Sequence, residues 1–109
     1  MISSDIIRGY TDIIILYILR KQPSYGYEIS KQIREITEDK YVMKETTLYS
    51  AFKRLENNGY IESFSGGETS GKPRTYYKTT DQGERFYQEK CLEWEVTQEV
   101  INKFIAKER

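Results

Sequence analysis

KETTLYSAFKRLENNGYIESFSGGETSGKPRTYYKT, Lys44 to Thr79, contains a helix, a glycine stop and two alternating runs in that order. Leu48, Ala51, Phe52 and Leu55 recur at helical spacing, and Gly59 supplies the residue on which helices most readily end. Thr46 or Thr47 offers a cap, so a helix reaching Asn58 is expected. Thr46, Ser50, Lys53 and Asn57 lie opposite the apolar residues, with Thr47 and Arg54 on one margin and Tyr49 on the other. Tyr60-Ile61-Glu62-Ser63-Phe64 then alternates as a short strand does, and Arg74-Thr75-Tyr76-Tyr77-Lys78-Thr79 alternates again. Ser63 to Pro73 is rich in turn formers, among them Gly66, Gly67 and Gly71, so a β-hairpin with a long glycine-rich tip is expected.

Upstream, Ile7, Tyr10, Ile14, Tyr17 and Ile18 recur at helical spacing, and Ile13, Ile15, Leu16 and Leu19 widen the stripe around most of a helix running from Ile7 to Arg20. A central, buried helix is expected there. Gln22-Pro23-Ser24 stops it, and Ser24 is placed to cap the next helix. That helix carries Tyr25, Ile29, Ile33 and Ile36 on one face and Glu28, Lys31, Arg34 and Glu38 on the other. Between Thr37 and Lys44 the pattern lapses. Six tyrosines, Tyr10, Tyr17, Tyr25, Tyr27, Tyr60 and Tyr76, fall at or near apolar positions, as core or rim residues do.

Downstream, Thr80 can cap a last helix from Asp81 to about Lys107, in which Tyr87, Cys91, Trp94, Gln98, Ile101 and Ile105 follow alternating spacings of four and three. Such a seam asks for a facing helix. A second stripe, Val96, Val100 and Phe104, is expected to widen the apolar face beside it. A helix of this length, about 39 Å, outreaches a domain built from the preceding residues, so its distal half is expected to pack on another chain.

With 109 residues the chain suits one compact core. Hydrophobic residues at 38% and charged residues at 31% imply a thin core with spare surface, in keeping with a helix awaiting a partner. Seventeen basic and seventeen acidic residues leave no global field, so electrostatic targeting has to be local. Residues 1–79 hold twelve basic and ten acidic side chains, and the last helix five and seven. The mild positive bias therefore sits in the helical and hairpin region. Histidine is absent, which removes the usual general base and metal-ligating nitrogen. The single cysteine, Cys91, permits neither an internal disulfide nor a thiolate cluster and reads as a small hydrophobe in a reducing interior. Ile13 to Leu19, the longest apolar run, is too short to span a membrane, and no basic segment followed by a long apolar stretch opens the chain; a cytoplasmic protein is expected. Gly66 to Lys72 lacks the order of a phosphate-cradling loop because Pro73 follows Lys72. With no nucleophile and base pair, metal cluster or cofactor fingerprint, no enzyme is expected.

Three helices, a hairpin and a long helix is the order of a winged helix-turn-helix domain, expected over residues 1–80, followed by a dimerisation helix over 81–109 in the same compact unit. The fold class is mainly α with a small β-hairpin. Tyr25-Gly26-Tyr27-Glu28-Ile29, Thr47-Leu48-Tyr49, Arg54-Leu55-Glu56-Asn57-Asn58-Gly59-Tyr60-Ile61 and Gly71-Lys72-Pro73-Arg74-Thr75-Tyr76-Tyr77-Lys78-Thr79-Thr80-Asp81-Gln82-Gly83 resemble the PadR family of bacterial transcriptional regulators. The resemblance runs from about Arg8 to Phe104, and the single C-terminal helix is similar to the small subtype. Ser50 departs from it, standing where proline is common.

The resemblance implies a homodimeric, sequence-specific regulator, expected to be a repressor of an inverted-repeat operator in double-stranded DNA. Thr46, Thr47, Tyr49, Ser50, Lys53, Arg54 and Asn57 would meet the major groove, because short polar and cationic side chains on a helix can reach base edges and phosphates. Lys72 and Arg74 would serve the hairpin as a wing on the backbone or minor groove. Arg74 has an equal alternative, a structural pairing with a carboxylate below the sheet. Tyr87, Cys91, Trp94, Gln98, Ile101 and Ile105 are the expected dimer seam. Trp94 is foremost an interface anchor; some members of the resembled family sense planar aromatic molecules at such an interface, which gives Trp94 a second role as a ligand-stacking residue. A winged-helix protein-interaction module without DNA affinity is the competing class.

Overall fold

A computed structural model describes residues 2–69 and 72–106, with side chains for all of these except 67–69, 72 and 73. The first expected helix is divided: α1 covers Ser4–Ile7, a 3-10 turn covers Arg8–Tyr10, and α2 covers Thr11–Leu19. Gly9, a weak helix former, lies in that turn, and Tyr10 leaves helical geometry at φ −121° before α2 begins. Ile15, Leu16, Ile18 and Leu19 bury α2 as the sequence leads one to expect, while Tyr17 emerges at the surface.

Helix α3, Gly26–Ile36, starts without the expected serine cap. Ser24 is fully buried and instead exchanges two backbone hydrogen bonds with Tyr77, at 3.1 and 2.8 Å, while its hydroxyl donates to the Glu28 carboxylate. The serine thus stitches the interhelical turn to the hairpin. Ile29 and Ile33 enter the core; Ile36, expected beside them, is 59% exposed at the end of the helix. The aperiodic segment that follows is nevertheless structured. Glu38 and Asp39 adopt φ of 52° and 62°, and the Thr37 hydroxyl accepts from the Tyr41 amide at 3.2 Å. That turn drops Tyr41 and Met43 into the core.

Helix α4, Glu45–Asn57, is headed by Lys44 in extended conformation, so neither Thr46 nor Thr47 caps it. Leu48, Ala51, Phe52 and Leu55 are buried, and Gly59 follows the helix at φ +78°, a conformation that favours glycine. Strands β1, Ile61–Thr69, and β2, Lys72–Thr79, form an antiparallel hairpin with Ile61 opposite Thr79 and Ser65 opposite Thr75. Most of the expected glycine-rich tip is strand. The register shifts between Ser65 and Glu68, so that Gly66 and Gly67 form a bulge rather than a loop. The Tyr76 ring lies where a Cβ on Gly66 would be, which is why the strand carries glycine there. Ser70 and Gly71 lie outside the described residues.

Helix α5, Asp81–Asn102, begins as expected, with the Thr80 hydroxyl accepting from the Gly83 amide at 3.0 Å and donating to the Gly59 carbonyl at 2.6 Å. It ends five residues before Lys107, which lies outside the described residues. Its first half packs along α2, with Phe86 stacked on Tyr60 at 4.2 Å, and its second half projects from the body, giving extents of 57 × 29 × 21 Å. No helix among the described residues is long and apolar enough to cross a membrane.

Candidate nucleic-acid interface

The amphipathic pattern of α4 leaves one face for solvent. Leu48, Ala51, Phe52 and Leu55 anchor the helix, and Thr46, Ser50, Lys53 and Asn57 stand exposed on the opposite side, with Thr47 half-buried at the margin. Hydroxyls, an amide and an ammonium therefore project from a helix whose backbone is fixed by its own core.

Arg54, on that margin, is tied to another element. Its Nη2 and Nε lie 2.5 and 3.3 Å from the two Asp12 carboxylate oxygens, and this pairing raises the guanidinium pKa above its ordinary value. The pair fastens α4 to the start of α2. Nothing in the helical periodicity announced it, because Asp12 and Arg54 lie 42 residues apart. Thr46, Ser50 and Arg54 form one wall of a cleft of about 640 Å³ whose other wall is the segment from Arg8 to Asp12.

Tyr49 marks the other margin. Its ring meets Phe52 edge-on at 5.5 Å, and its hydroxyl lies over Gly26, where a Cβ would come within 2.5 Å of it. Gly26 thereby admits a side chain of α4 to the start of α3. Phe52 in turn stacks on Tyr77 at 4.1 Å, so β2 and α4 share one aromatic support; burial pushes the Tyr77 phenol pKa up. Arg74 extends its guanidinium over the Tyr25 ring at 4.2 Å, and Tyr25 leans on Tyr76 at 5.1 Å. Tyr25, Gly26, Tyr49, Arg74 and Tyr77 line a groove of about 290 Å³ between α3, α4 and β2. The structure therefore brings Arg74 to the same margin of α4 as Tyr49. Lys72 begins β2, and its side chain lies outside the described residues.

The residues expected to form the seam of α5 divide along its length. Tyr87 and Cys91 are half-buried against their own chain, with the Arg20 guanidinium 4.6 Å over the Tyr87 ring. Trp94 is 42% exposed and meets Tyr10 edge-on at 5.0 Å. Gln98 and Ile101 face solvent, as does Ile105, which stands beyond the end of α5. Val96 and Val100 do not widen this face: at roughly 100° per residue they sit across the helix from Tyr87 and Cys91, and both are exposed.

Comparison with known proteins places this geometry. A sequence profile for the transcriptional regulator PadR-like family matches residues 15–89, from α2 into α5. A protein of Lysinibacillus sphaericus is 41% identical over 105 residues, covering 96% of each chain. A transcriptional regulator from Clostridium thermocellum has a similar structure, with a TM-score of 0.90 and 60% identity over 97% of this chain and 100% of that one. A PadR family transcription regulator from Clostridium difficile matches with a TM-score of 0.76 and 41% identity, over 90% and 100% respectively. The family is one of DNA-binding transcription regulators rather than of enzymes. On sequence and fold together, this winged-helix chain belongs to the PadR-like family of transcriptional regulators.

Proposed function

We propose that the chain is a homodimeric transcriptional repressor that lays the polar face of α4 in the major groove of an inverted-repeat operator. Thr46, Thr47, Tyr49, Ser50, Lys53 and Asn57 read or grip the groove, Lys72 and Arg74 bring the hairpin to the backbone, and Arg54 contributes from its anchored position on Asp12. The observation that carries the reading is the pairing of a fully packed inner face of α4 with an exposed, polar and mildly basic outer face beside the hairpin. A rigid helix with short polar side chains is what direct readout requires.

The two copies join through the distal part of α5 and the residues just past its end, where Trp94, Gln98, Ile101 and Ile105 remain exposed while Tyr87 and Cys91 steady the helix on its own domain. Trp94, held edge-on by Tyr10, presents an indole on which a planar aromatic effector would stack and thereby release the operator. A labelled mixed-sequence duplex titrated at several salt concentrations tests the first part. Affinity that falls steeply with salt supports phosphate contact, whereas no binding at low salt would leave a protein-interaction module.

A further inference from the structure

A further cation, Arg8 of the N-terminal segment, lines a cleft beside α4. The cleft beside α4 runs along the row Thr46, Ser50 and Arg54; Arg8 and Gly9 stand across from that row, and Lys44 at the start of α4 also lines the cleft. Arg8 has a side chain 75% exposed, and its partner is Asp5, one turn back and 85% exposed, at 2.9 Å. Such a solvent-exposed pair is weak and exchanges readily for a stronger anion.

Gly9 adds an independent observation. A Cβ built on it meets nothing within 4 Å, so no neighbour in this chain requires glycine there, and its backbone is not in the left-handed region that favours glycine. A residue without a side chain on the open wall of a cleft, next to an exposed arginine, leaves backbone that a ligand can approach closely.

We propose that this cleft seats the sugar-phosphate backbone of the DNA strand flanking α4, with Arg8 and Lys44 on phosphates and Gly9 leaving room for the strand. The proposal rests on the reading of α4 as the groove-binding helix. With α4 in the major groove, one backbone passes on the Tyr49 and Arg74 margin and the other on the Arg54 margin, and the cleft lies along the latter. Arg54, on the α4 wall, is held by Asp12, and Asp12 is thereby neutralised toward an incoming phosphate.

The test uses the full chain and a labelled mixed-sequence duplex, followed by anisotropy over a salt series, with Lys53→Ala as the marker of the α4 reading and Arg34→Ala as the control. Arg34 is an exposed arginine paired with Asp39 on α3, away from this cleft. Arg8→Ala is expected to lower the salt slope by about 0.9, as loss of one phosphate contact does, with Arg34→Ala leaving it unchanged. Gly9→Leu is expected to weaken binding at least tenfold while the melting temperature stays at the wild-type value. If Lys53→Ala lowers the slope and Arg8→Ala and Gly9→Leu bind as wild type, this cleft is not a backbone seat although α4 is the reading helix. If Lys53→Ala is also without effect, or the wild-type chain does not bind, the placement of α4 falls and the cleft falls with it.

Discussion

The Arg20 guanidinium grips the Glu84 carboxylate at two points, Nε to Oε1 at 3.0 Å and Nη2 to Oε2 at 2.7 Å. Arg20 follows the end of α2 and Glu84 lies in the first turn of α5, so the fork fixes the direction in which the long helix leaves the winged-helix body. The Gln88 amide donates to the same carboxylate at 2.8 Å.

The guanidinium and this amide hold the Glu84 carboxyl well below its ordinary value, from 4.5 to about 2. A carboxylate whose folded pKa is depressed stabilises fully above its unfolded pKa and loses that contribution as pH falls through the folded one. Glu84→Gln is therefore expected to lower the melting temperature modestly at neutral pH and to flatten its fall between about pH 5 and 2. Melting followed by circular dichroism across that window checks it. Curves for variant and wild type that stay parallel would mean that Glu84 does not titrate as the fork requires.

Phe52 ties two elements together, buried on the inner face of α4, stacked on Tyr77 of β2 and edge-on to Tyr49 of its own helix. Phe52→Ala should cost about 3–5 kcal/mol, a large part of the roughly 5–15 kcal/mol available to a small domain. Urea denaturation measures the loss directly. A midpoint close to that of the wild type would show the aromatic stack to be peripheral.

Gly83 and Gly9 should respond oppositely to the same substitution. A Cβ on Gly83 would stand 2.0 Å from the Tyr60 carbonyl oxygen, a backbone atom that no rotamer change can move, whereas one on Gly9 meets nothing. Gly83→Ala is expected to destabilise the chain by about 1–3 kcal/mol as the first turn of α5 is pushed off Tyr60. Gly9→Ala should leave stability unchanged or slightly raised, since alanine is the better helix former. Scanning calorimetry of the two variants side by side distinguishes close packing from incidental glycine.

Much of this fold was written in periodicity. The inner face of α4, the stop at Gly59 and the Thr80 cap are local signals, and each reappears in the structure where the pattern puts it. Features that depend on distant partners were not legible. Ser24 has the chemistry of a cap, yet its backbone pairs with Tyr77, and no local rule foresees a strand 53 residues away. Tyr41 and Met43 are core residues in a segment without period, carried inward by the turn at Glu38 and Asp39. The bulge at Gly66 and Gly67 has the composition of a loop but the pairing of a strand. The polar face of α4 could be drawn from the sequence, whereas the Arg8 wall across from it needed the fold.

Lys53 and Arg54 are adjacent cations with different settings. Lys53 projects from the exposed face, and Arg54 bonds Asp12 through both Nε and Nη2. Lys53→Ala is expected to lower the salt slope of DNA binding by about 0.9 with stability unchanged. Arg54→Ala should in addition cost up to about 1 kcal/mol of stability, as a half-exposed ion pair does, and leave Asp12 as an uncompensated negative charge beside the cleft. Anisotropy titrations paired with chemical denaturation separate the two effects, and equal stabilities for both variants would mean that the Asp12 pair contributes nothing.

Dimerisation gives the final expectation, because the two halves of α5 are differently placed. Phe86 and Tyr87 are packed on the body, while Trp94, Ile101 and Ile105 expose apolar surface on the projecting part. Truncation after Gln88 therefore keeps Phe86, Tyr87 and the Arg20 to Glu84 fork, so the remaining domain is expected to fold but to sediment as a monomer. Two linked recognition helices gain from effective concentration on paired half-sites, whereas a lone domain with this modest basic surface would bind weakly, so operator affinity should fall at least a hundredfold, as about 10²–10⁴ is typical of lost avidity. Trp94→Ala in the full chain tests the seam without shortening α5, and is expected to weaken the dimer while removing the edge contact with Tyr10. Sedimentation of the full chain at micromolar concentration is the direct measurement. A monomer there would remove the homodimer, and with it any effector site that the interface around Trp94 would provide.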